Sequence, residues 1–274
     1  MLRLLGALAL FGLGGAFGIG LLEQKMLYPF DASAVSPARA GVPRLSETRF
    51  ETGGERLVVW RAAPRPGKPV ILYFHGNAGN LAMRAHRFNA LLDRGYGLVA
   101  MAYRGSSGST GTPSQKAITS DVRALYRDLA KVLETDAPRV LYGESLGSAV
   151  VTVALMSSVE RDAETGTAPA AVVLEAPFTS VSDVAKALDP RLSRLTPFLR
   201  SRWESLGQAH RLDAPLLVIH GTRDELIPIA QGRQIFEAAP APDKQFLAVE
   251  GAGHTDLWRA DVLETLWDFI ETRT

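Results

Sequence analysis

The segment GESLG at residues 143–147 places Ser145 between two glycines at the spacing of a tight turn. A short apolar run precedes the segment and a long apolar run follows it, so a strand is expected to turn directly into a helix here. Such a turn lifts the serine hydroxyl above the end of a sheet and places it at the positively polarised start of the helix. The pattern therefore predicts that Ser145 acts as a nucleophile.

A candidate acid and a candidate base each follow a predicted strand further along the chain. Asp224 follows the apolar run at residues 216–219, and His254 follows the last apolar run. An imidazole can take the proton of a serine hydroxyl, and a carboxylate can orient the ring and stabilise its cation. We therefore predict a catalytic triad of Ser145, Asp224 and His254. The alternatives are an ordinary turn serine and a histidine that only caps the last helix.

Other carboxylates compete with Asp224 for the place of the triad acid. Glu225 is its neighbour, and Glu175 follows another predicted strand, from which a carboxylate could also reach the histidine. Asp256 opens the last apolar helical pattern and is expected to cap that helix. The side chain of Glu144 is expected to point away from the nucleophile.

The segment HGNAGN at residues 75–80 follows a further predicted strand. A loop in this place can supply one backbone N–H to an oxyanion, and the residue after the nucleophile can supply another. We assign these donors to Asn77 and Leu146, with Ala78 as the alternative to Asn77. Such donors stabilise negative charge that develops in the transition state. Loss of one donor raises the activation free energy by about 2.7–4 kcal/mol.

The remaining motifs indicate no cofactor, so none is expected. The other histidines lack the spacing with one another and with carboxylates that a catalytic metal requires. The loop YRGSSGSTGTPS at residues 103–114 is rich in glycine but lacks the ending of a P-loop and the spacing of a dinucleotide fingerprint. The chain has no cysteine, which excludes disulfides, thiolate metal sites and a cysteine nucleophile.

Predicted strands and helices alternate along most of the chain. Apolar runs predict strands at 46–52, 56–62, 70–74, 98–102, 139–142, 171–174, 216–219 and 245–249, and helical patterns at 81–94, 114–134, 146–158, 180–188, 229–239 and 256–271. The first two strands flank Gly53-Gly54, which is typical of a hairpin. This alternation predicts an α/β fold: a mostly parallel eight-stranded sheet with helices on both faces, whose ligands bind at the carboxyl ends of the strands.

The composition fits one large domain. The chain has 274 residues, of which 46% are hydrophobic, and a formal net charge of +1. These values exclude a disordered chain, a coiled coil and a collagen-like repeat. A nearly neutral chain is also not expected to bind nucleic acid, which requires a strong basic excess.

The N-terminus differs from the rest of the chain. Residues 4–22 are 19 uncharged, mostly apolar residues, which as a helix would span about 28 Å, close to the thickness of a bilayer core. We predict that residues 1–27 form a hydrophobic helix that anchors the chain in a membrane, with a cleaved secretion signal as the alternative. Arg3 precedes the stretch, so the catalytic domain is expected outside the cytoplasm.

The rest of the chain divides into a linker and a catalytic domain. Residues 28–44 contain three prolines and predict a linker or the edge of the domain at 45–274. Residues 177–215 predict a short lid. Within it, residues 186–211 carry six cations against two carboxylates and many apolar side chains. This composition fits a solvated lid or a surface that contacts an anionic membrane.

Five motifs together resemble a known family. HGNAGN, YRGSSGSTGTPS, GESLGS, GTRDELIP and GAGHTD, in this order within residues 47–272, resemble the α/β-hydrolase superfamily and in particular its membrane-anchored ABHD branch with its bacterial relatives. The resemblance implies the α/β-hydrolase fold and a serine hydrolase with an N-terminal membrane attachment. Several members of this branch act on lipids, and some remove palmitoyl groups from proteins. Those members carry a cysteine-rich N-terminus, which this chain lacks.

The residues and the resemblance together predict a function. We expect a serine hydrolase that cleaves a small-molecule or lipid ester, or a thioester, through an acyl-enzyme at a membrane surface. The alternatives are a peptidase or amidase of the same fold and a non-catalytic binding scaffold. The sequence leaves open the acyl chain length, the leaving group and the oligomeric state.

Overall fold

The computed structural model describes residues 23–156, 168–192 and 196–274. One eight-stranded sheet runs through this part of the chain in the order β1-β2-β4-β3-β5-β6-β7-β8. Its strands are β1 (Ser46–Thr52), β2 (Glu55–Ala62), β3 (Val70–Phe74), β4 (Gly97–Met101), β5 (Arg139–Glu144), β6 (Ala171–Glu175), β7 (Leu216–Gly221) and β8 (Lys244–Val249). β1 and β2 are antiparallel to their neighbours, and β3 to β8 are parallel. The predicted α/β fold and its eight-stranded sheet are confirmed.

The central strands are buried on both faces. β3, β4, β6 and β7 are buried along their whole length, as their continuous apolar runs predict. Alternate residues point to opposite faces, so Leu72 and Leu141 belong to one core while Ile71 and Tyr73 belong to the other. Helices cover both cores, and the carboxyl ends of the six parallel strands are left to form one edge.

The helices that follow these strands are close to their predicted places. They are α1 (Ala85–Asp93), α2 (Gln115–Arg127), α3 (Leu146–Ala149), α4 (Val181–Leu188), α5 (Ile229–Ala238) and α6 (Ala260–Glu271). A 3₁₀ turn, Leu81–Arg84, precedes α1, and π-helical residues Val150–Leu155 continue α3. The predicted end of that helix, at residue 158, lies outside the described residues.

The predicted cap of the last helix is wrong. The helix begins at Ala260 rather than at Asp256. The carboxylate of Asp256 instead accepts a hydrogen bond from the Gly253 N–H at 2.7 Å and another from the Arg259 guanidinium at 2.7 Å. Asp256 therefore stabilises the loop that carries His254, and residues 256–259, which were predicted as the first turn of the helix, are not helical.

The hairpin between β1 and β2 has the turn that its sequence predicts. Gly53 and Gly54 have φ angles of +55° and +79°. Two successive residues in this region form the tight turn that matches the twist of a hairpin, and glycine adopts it without strain.

Residues 23–31, here named the strap, lie against the domain rather than away from it. The carboxylate of Glu23 accepts hydrogen bonds from the N–H groups of Arg200 and Ser201, at 2.9 and 2.8 Å. The Tyr28 hydroxyl accepts one from the indole of Trp203 at 3.0 Å. The sequence left open a linker or a domain edge for residues 28–44, and their start packs as an edge.

The predicted membrane-anchoring helix lies largely outside the described residues, because residues 1–22 are not among them. Residues 23–27 of that prediction are helical. Of the residues that the structure describes, none form a helix with both the length and the apolar character needed to cross a bilayer.

Within the described residues, the predicted lid region contains α4, two 3₁₀ turns (Thr196–Phe198 and Leu206–Arg211) and, between the turns, an irregular segment at residues 199–205. Along residues 200–205 the side chains alternate between exposed and buried, and Trp203 is fully buried. Arg194 lies outside the described residues. The irregular segment is therefore fixed to the domain by every second side chain of residues 200–205.

Candidate active site

Ser145 lies in a sharp turn between β5 and α3. Its φ is +50°, a conformation that costs a non-glycine residue about 1–3 kcal/mol and is maintained only where the surroundings enforce it. A Cβ on Gly143 would lie 2.5 Å from the Gly147 oxygen, and one on Gly147 would lie 1.8 Å from the Phe74 oxygen. Both flanking positions therefore require glycine, as the motif predicts.

The backbone around this turn is held from two sides. The Ser145 N–H donates to the Glu175 oxygen at the end of β6, at 2.8 Å. The Ser148 hydroxyl donates to the Ser145 oxygen at 2.6 Å. The strained turn is thus tied to the neighbouring strand and to its own helix.

Ser145, His254 and Asp224 form one chain of hydrogen-bond contacts. Nε2 of His254 lies 3.1 Å from Oγ of Ser145, and Nδ1 lies 2.7 Å from Oδ2 of Asp224. With the proton on Nδ1, the ring donates to the carboxylate and leaves Nε2 as the acceptor for the serine proton. The side chain of His254 is 18% exposed, whereas that of Asp224 is fully buried.

Asp224 is held as a carboxylate. Burial alone would raise the pKa of Asp224, but hydrogen bonds from His220 and His254 outweigh it and hold that pKa well below its usual range. Its Oδ1 also accepts from the N–H groups of Leu226 and Ile227, at 2.9 and 2.8 Å. The group facing His254 is therefore ionised throughout the neutral range.

His220 also belongs to this arrangement, in which sequence reasoning did not place it. Nε2 of His220 lies 2.8 Å from the Ile227 oxygen and 3.4 Å from Oδ2 of Asp224. A Cβ on Gly232 would lie 2.3 Å from Nδ1 of His220, so α5 packs directly on the ring. His220 thus positions both the acid and the loop that carries it. Its place directly after the predicted strand at 216–219 was the available signal.

The rival acids have other partners. Glu175 is buried, 2.7 Å from the Arg87 guanidinium and 3.0 Å from the Trp258 indole, and also accepts from Tyr142. Glu225 is exposed. Within the described part of the chain, Asp224 is the carboxylate that His254 contacts.

Glu144 points away from the nucleophile, as expected. Its carboxylate receives two hydrogen bonds from Arg84, at 2.8 and 3.1 Å, and one from the Tyr73 hydroxyl at 2.7 Å. Burial opposes its charge, but Arg84 and Arg87 overcome that effect and lower the pKa of Glu144 well below its usual range. The pair of Glu144 and Arg84 lies directly beside the turn and supports its position.

The predicted oxyanion loop lies against the turn. Gly147 touches the end of β3, where residues 76–80 begin. Asn77 is half-buried and Ala78 is exposed, while Leu146 opens α3, where the first N–H groups of a helix have no partner within the helix. Two backbone segments that carry the predicted donors therefore meet beside Ser145.

The strap holds the outer side of this loop. Phe30 forms an isolated β-bridge with Gly79, and the Asp31 N–H donates to the Gly79 oxygen at 3.0 Å. The Asn80 amide donates to the Asp31 carboxylate at 2.6 Å. The loop is thus held by a segment about 50 residues earlier in the chain, which no local pattern predicts.

His75 lies under the loop as a neutral core residue. Its ring packs against Tyr103 with ring centres 4.2 Å apart, and its Nδ1 lies 2.7 Å from the Gly76 oxygen. Burial, aided by the positive charge of Arg84, lowers the pKa of His75 to about 3. Among the described residues, no three His, Asp or Glu side chains group as metal ligands.

The buried neutral state of His75 predicts a pH dependence of stability. Between pH values of about 3 and 6.5 the unfolded chain binds a proton that the folded chain does not, so the free energy of unfolding falls with falling pH by about 1.4 kcal/mol per unit. His75→Gln lacks this contribution. The stability advantage of the wild type over the variant should therefore shrink as pH falls from about 7 to about 4.5, as measured by urea denaturation. A pH-independent difference would contradict the assignment.

Comparison with known proteins identifies the family of the chain. Residues 65–208 and 190–258 match the family model described as serine aminopeptidase, S33. The chain belongs to this family. Membership in the S33 family agrees with the α/β-hydrolase resemblance of the five motifs.

The S33 chain has relatives over most of its length. It is 33% identical to the uncharacterized protein Rv2307c of Mycobacterium tuberculosis, over 93% of this chain and 88% of the relative. It is also 32% identical to lysophosphatidylserine lipase ABHD12 of Rattus norvegicus, over 65% of this chain and 47% of the relative. The chain thus spans about half the length of ABHD12 and is related to the ABHD proteins.

Solved structures share the fold. The Pyrococcus furiosus esterase Pf2001 matches with a TM-score of 0.67 at 17% identity, over 89% of this chain and 96% of the esterase. Est1E of Butyrivibrio proteoclasticus, solved with ferulic acid bound, matches with a TM-score of 0.66 at 18% identity, over 82% of this chain and 98% of Est1E. At this identity the likeness shows the fold alone.

Proposed function

We propose that the chain is a serine hydrolase that cleaves carboxylic esters or thioesters, with Ser145 as nucleophile, His254 as base and Asp224 as the orienting acid. The observation that carries the proposal is the continuous contact from Ser145 through His254 to Asp224, at 3.1 and 2.7 Å. A nucleophile and a base within hydrogen-bond reach, with the base held by a third group, are the arrangement that activates a serine.

The reaction proceeds in two halves. Oγ of Ser145 bonds to the carbonyl carbon while its proton passes to Nε2 of His254, and the N–H groups of Asn77 and Leu146 bind the oxyanion. The bond to the alcohol or thiol then breaks, and the leaving group takes the proton from His254. Water attacks the acyl-enzyme in the same way, and its proton passes through His254 back to Ser145.

An aminopeptidase is the second candidate, because the matching family model carries that description. An aminopeptidase needs a carboxylate for the free amino group of its substrate. The two glutamates that end β5 and β6, Glu144 and Glu175, are each paired with an arginine at 2.7–2.8 Å. These pairs occupy both carboxylates, which speaks against the aminopeptidase. The names of the lipase and esterase relatives also support the ester substrate.

We further propose that the reaction takes place at a membrane surface. The support is the uncharged stretch at residues 4–22, which precedes the domain. It leads into the strap, which contacts the lid at Glu23 and the predicted oxyanion loop at Phe30. An ester that resides in the bilayer is the substrate class that this arrangement suits.

Nitrophenyl esters of increasing chain length test the reaction, with the full chain in detergent micelles beside Ser145→Ala. The proposal expects turnover that disappears in the variant, with a preference for longer acyl chains. Aminoacyl nitroanilides run in parallel. Faster cleavage of the nitroanilides would establish the aminopeptidase instead, and no turnover of any substrate by a folded chain would support a binding scaffold.

A further inference from the structure

A groove lined by cations lies between α2 and the irregular segment of the lid. It has a volume of about 690 Å³. Its charged lining residues are Lys116, Arg123, Arg127, Arg200, Arg202 and Glu204. Nothing in the triad or in the predicted oxyanion loop uses these side chains.

The groove concentrates positive charge on a chain that is otherwise slightly acidic. Five cations against one carboxylate give it a formal charge of +4, whereas the whole chain carries +1. Arg127 pairs with Asp128 at 3.3 Å, but within the described residues Lys116, Arg200 and Arg202 have no ion-pair partner. These three side chains are exposed. Uncompensated cations on one surface attract anions and are costly to keep together without them.

The walls of the groove are rigid. Lys116 and the other lining residues of α2 recur every three or four positions, so they share one face of the helix. On the opposite wall Arg200 and Arg202 point outward from a segment whose intervening residues are buried. The Gln115 side chain accepts from the N–H groups of Arg202 and Trp203, at 2.7 and 2.9 Å, which ties the two walls together. The backbone positions that carry the cations are therefore fixed relative to one another before any ligand binds.

One end of the groove lies at the same edge of the sheet as Ser145 and beside the strap. α2 begins at the carboxyl edge of the parallel strands, because it follows β4 and its loop, and Ser145 lies at the same edge. Glu23, the first described residue, accepts a hydrogen bond from the N–H of Arg200. The apolar stretch at 4–22 therefore joins the domain beside the groove. A bilayer that holds this stretch would bring its headgroups to the cations.

We infer that this basic groove docks the domain on the anionic phospholipid headgroups of a bilayer, with the edge that carries Ser145 turned toward the lipid. The inference rests on the proposed function for its membrane-borne ester, but the docking itself does not depend on catalysis. Each cation near an anionic bilayer strengthens docking about fivefold. Removing three of them should therefore weaken docking about 100-fold.

The absence of cysteine from the chain allows a direct measurement. A single cysteine at the exposed groove position, Ser120→Cys, carries a fluorophore, and the full chain is reconstituted into vesicles whose headgroups carry a nitroxide quencher. Ala63→Cys, an exposed position in the loop before β3 at the opposite edge, is the matched label control. The inference expects strong quenching at position 120 in phosphatidylserine vesicles, weak quenching in phosphatidylcholine vesicles, and weak quenching at position 63 in both.

A triple variant and a charge-matched control decide the assignment. Lys116→Gln with Arg200→Gln and Arg202→Gln should abolish the effect of phosphatidylserine on quenching. Arg56→Gln with Arg65→Gln and Arg233→Gln removes the same charge from exposed positions elsewhere and should leave it unchanged. Quenching that is equal in the two lipids, or that survives in the groove variant, would overturn the inference. Wild type and both variants should hydrolyse a soluble short-chain ester at the same rate. No hydrolysis by wild type would count against the proposed function and leave the docking result intact, whereas a loss confined to the groove variant would mean that the groove serves catalysis and would overturn the docking assignment.

Discussion

Replacement of His254 by alanine is expected to lower kcat for a nitrophenyl ester by about a millionfold, because the serine then has no base to take its proton. His254 lies in a loop and its side chain is partly exposed, so removal of the side chain should leave the fold intact. Single-turnover acylation kinetics measure the effect, since acylation is the step in which the serine proton must move.

His210→Ala is the matched control for this variant. His210 is exposed in a 3₁₀ turn of the lid and has no part in the proposed chemistry. Its activity should equal that of wild type. If His254→Ala retained activity within about tenfold of wild type, His254 would not be the base.

Replacement of Asp224 by asparagine is expected to lower kcat by about 10⁴-fold with little change in shape. The carboxylate oxygen that faces Nδ1 of His254, at 2.7 Å, would become an amide that can present N–H instead. The ring would then carry its proton on Nε2, toward Ser145, where it cannot act as a base. Steady-state kinetics of the purified variant measure the loss.

Glu225→Gln and Glu175→Gln serve as controls for the assignment of the acid. Glu225 is the exposed neighbour of Asp224, and its change should leave kcat unaltered. Glu175 forms a buried ion pair with Arg87, so Glu175→Gln should lower the free energy of unfolding while leaving kcat of the folded protein nearly unchanged. If, at equal folded fraction, Glu175→Gln lost as much kcat as Asp224→Asn, Glu175 would be the triad acid instead.

The sheet could be predicted because each central strand is a continuous apolar run. β3 and β7 are buried at every residue, and the runs that predict them begin at the observed residues. Ser145 could be placed because the glycines around it admit no side chain, a requirement that the local sequence records. The approach of Asp224 and His254 to each other follows from the same topology, since both lie just beyond the carboxyl ends of the adjacent strands β7 and β8.

The supports of the site could not be predicted in this way. Arg84 and Arg87 lie before and within α1, yet their partners, Glu144 and Glu175, end β5 and β6, which are 60 and 88 residues further along the chain. Such pairs depend on how helix and sheet pack, and no local spacing records them. The contact of the strap with the predicted oxyanion loop is of the same kind, because it joins Phe30 to Gly79 through backbone groups that every residue possesses.

Labelling with a fluorophosphonate probe tests the central claim most directly. The full chain and Ser145→Ala are each treated with the probe, and peptide mass spectrometry then locates the adduct. The triad predicts one adduct on Ser145 in the wild type, formed rapidly and suppressed in His254→Ala, and none in Ser145→Ala. An adduct on another residue, or a folded wild-type chain that reacts no faster than Ser145→Ala, would contradict the account.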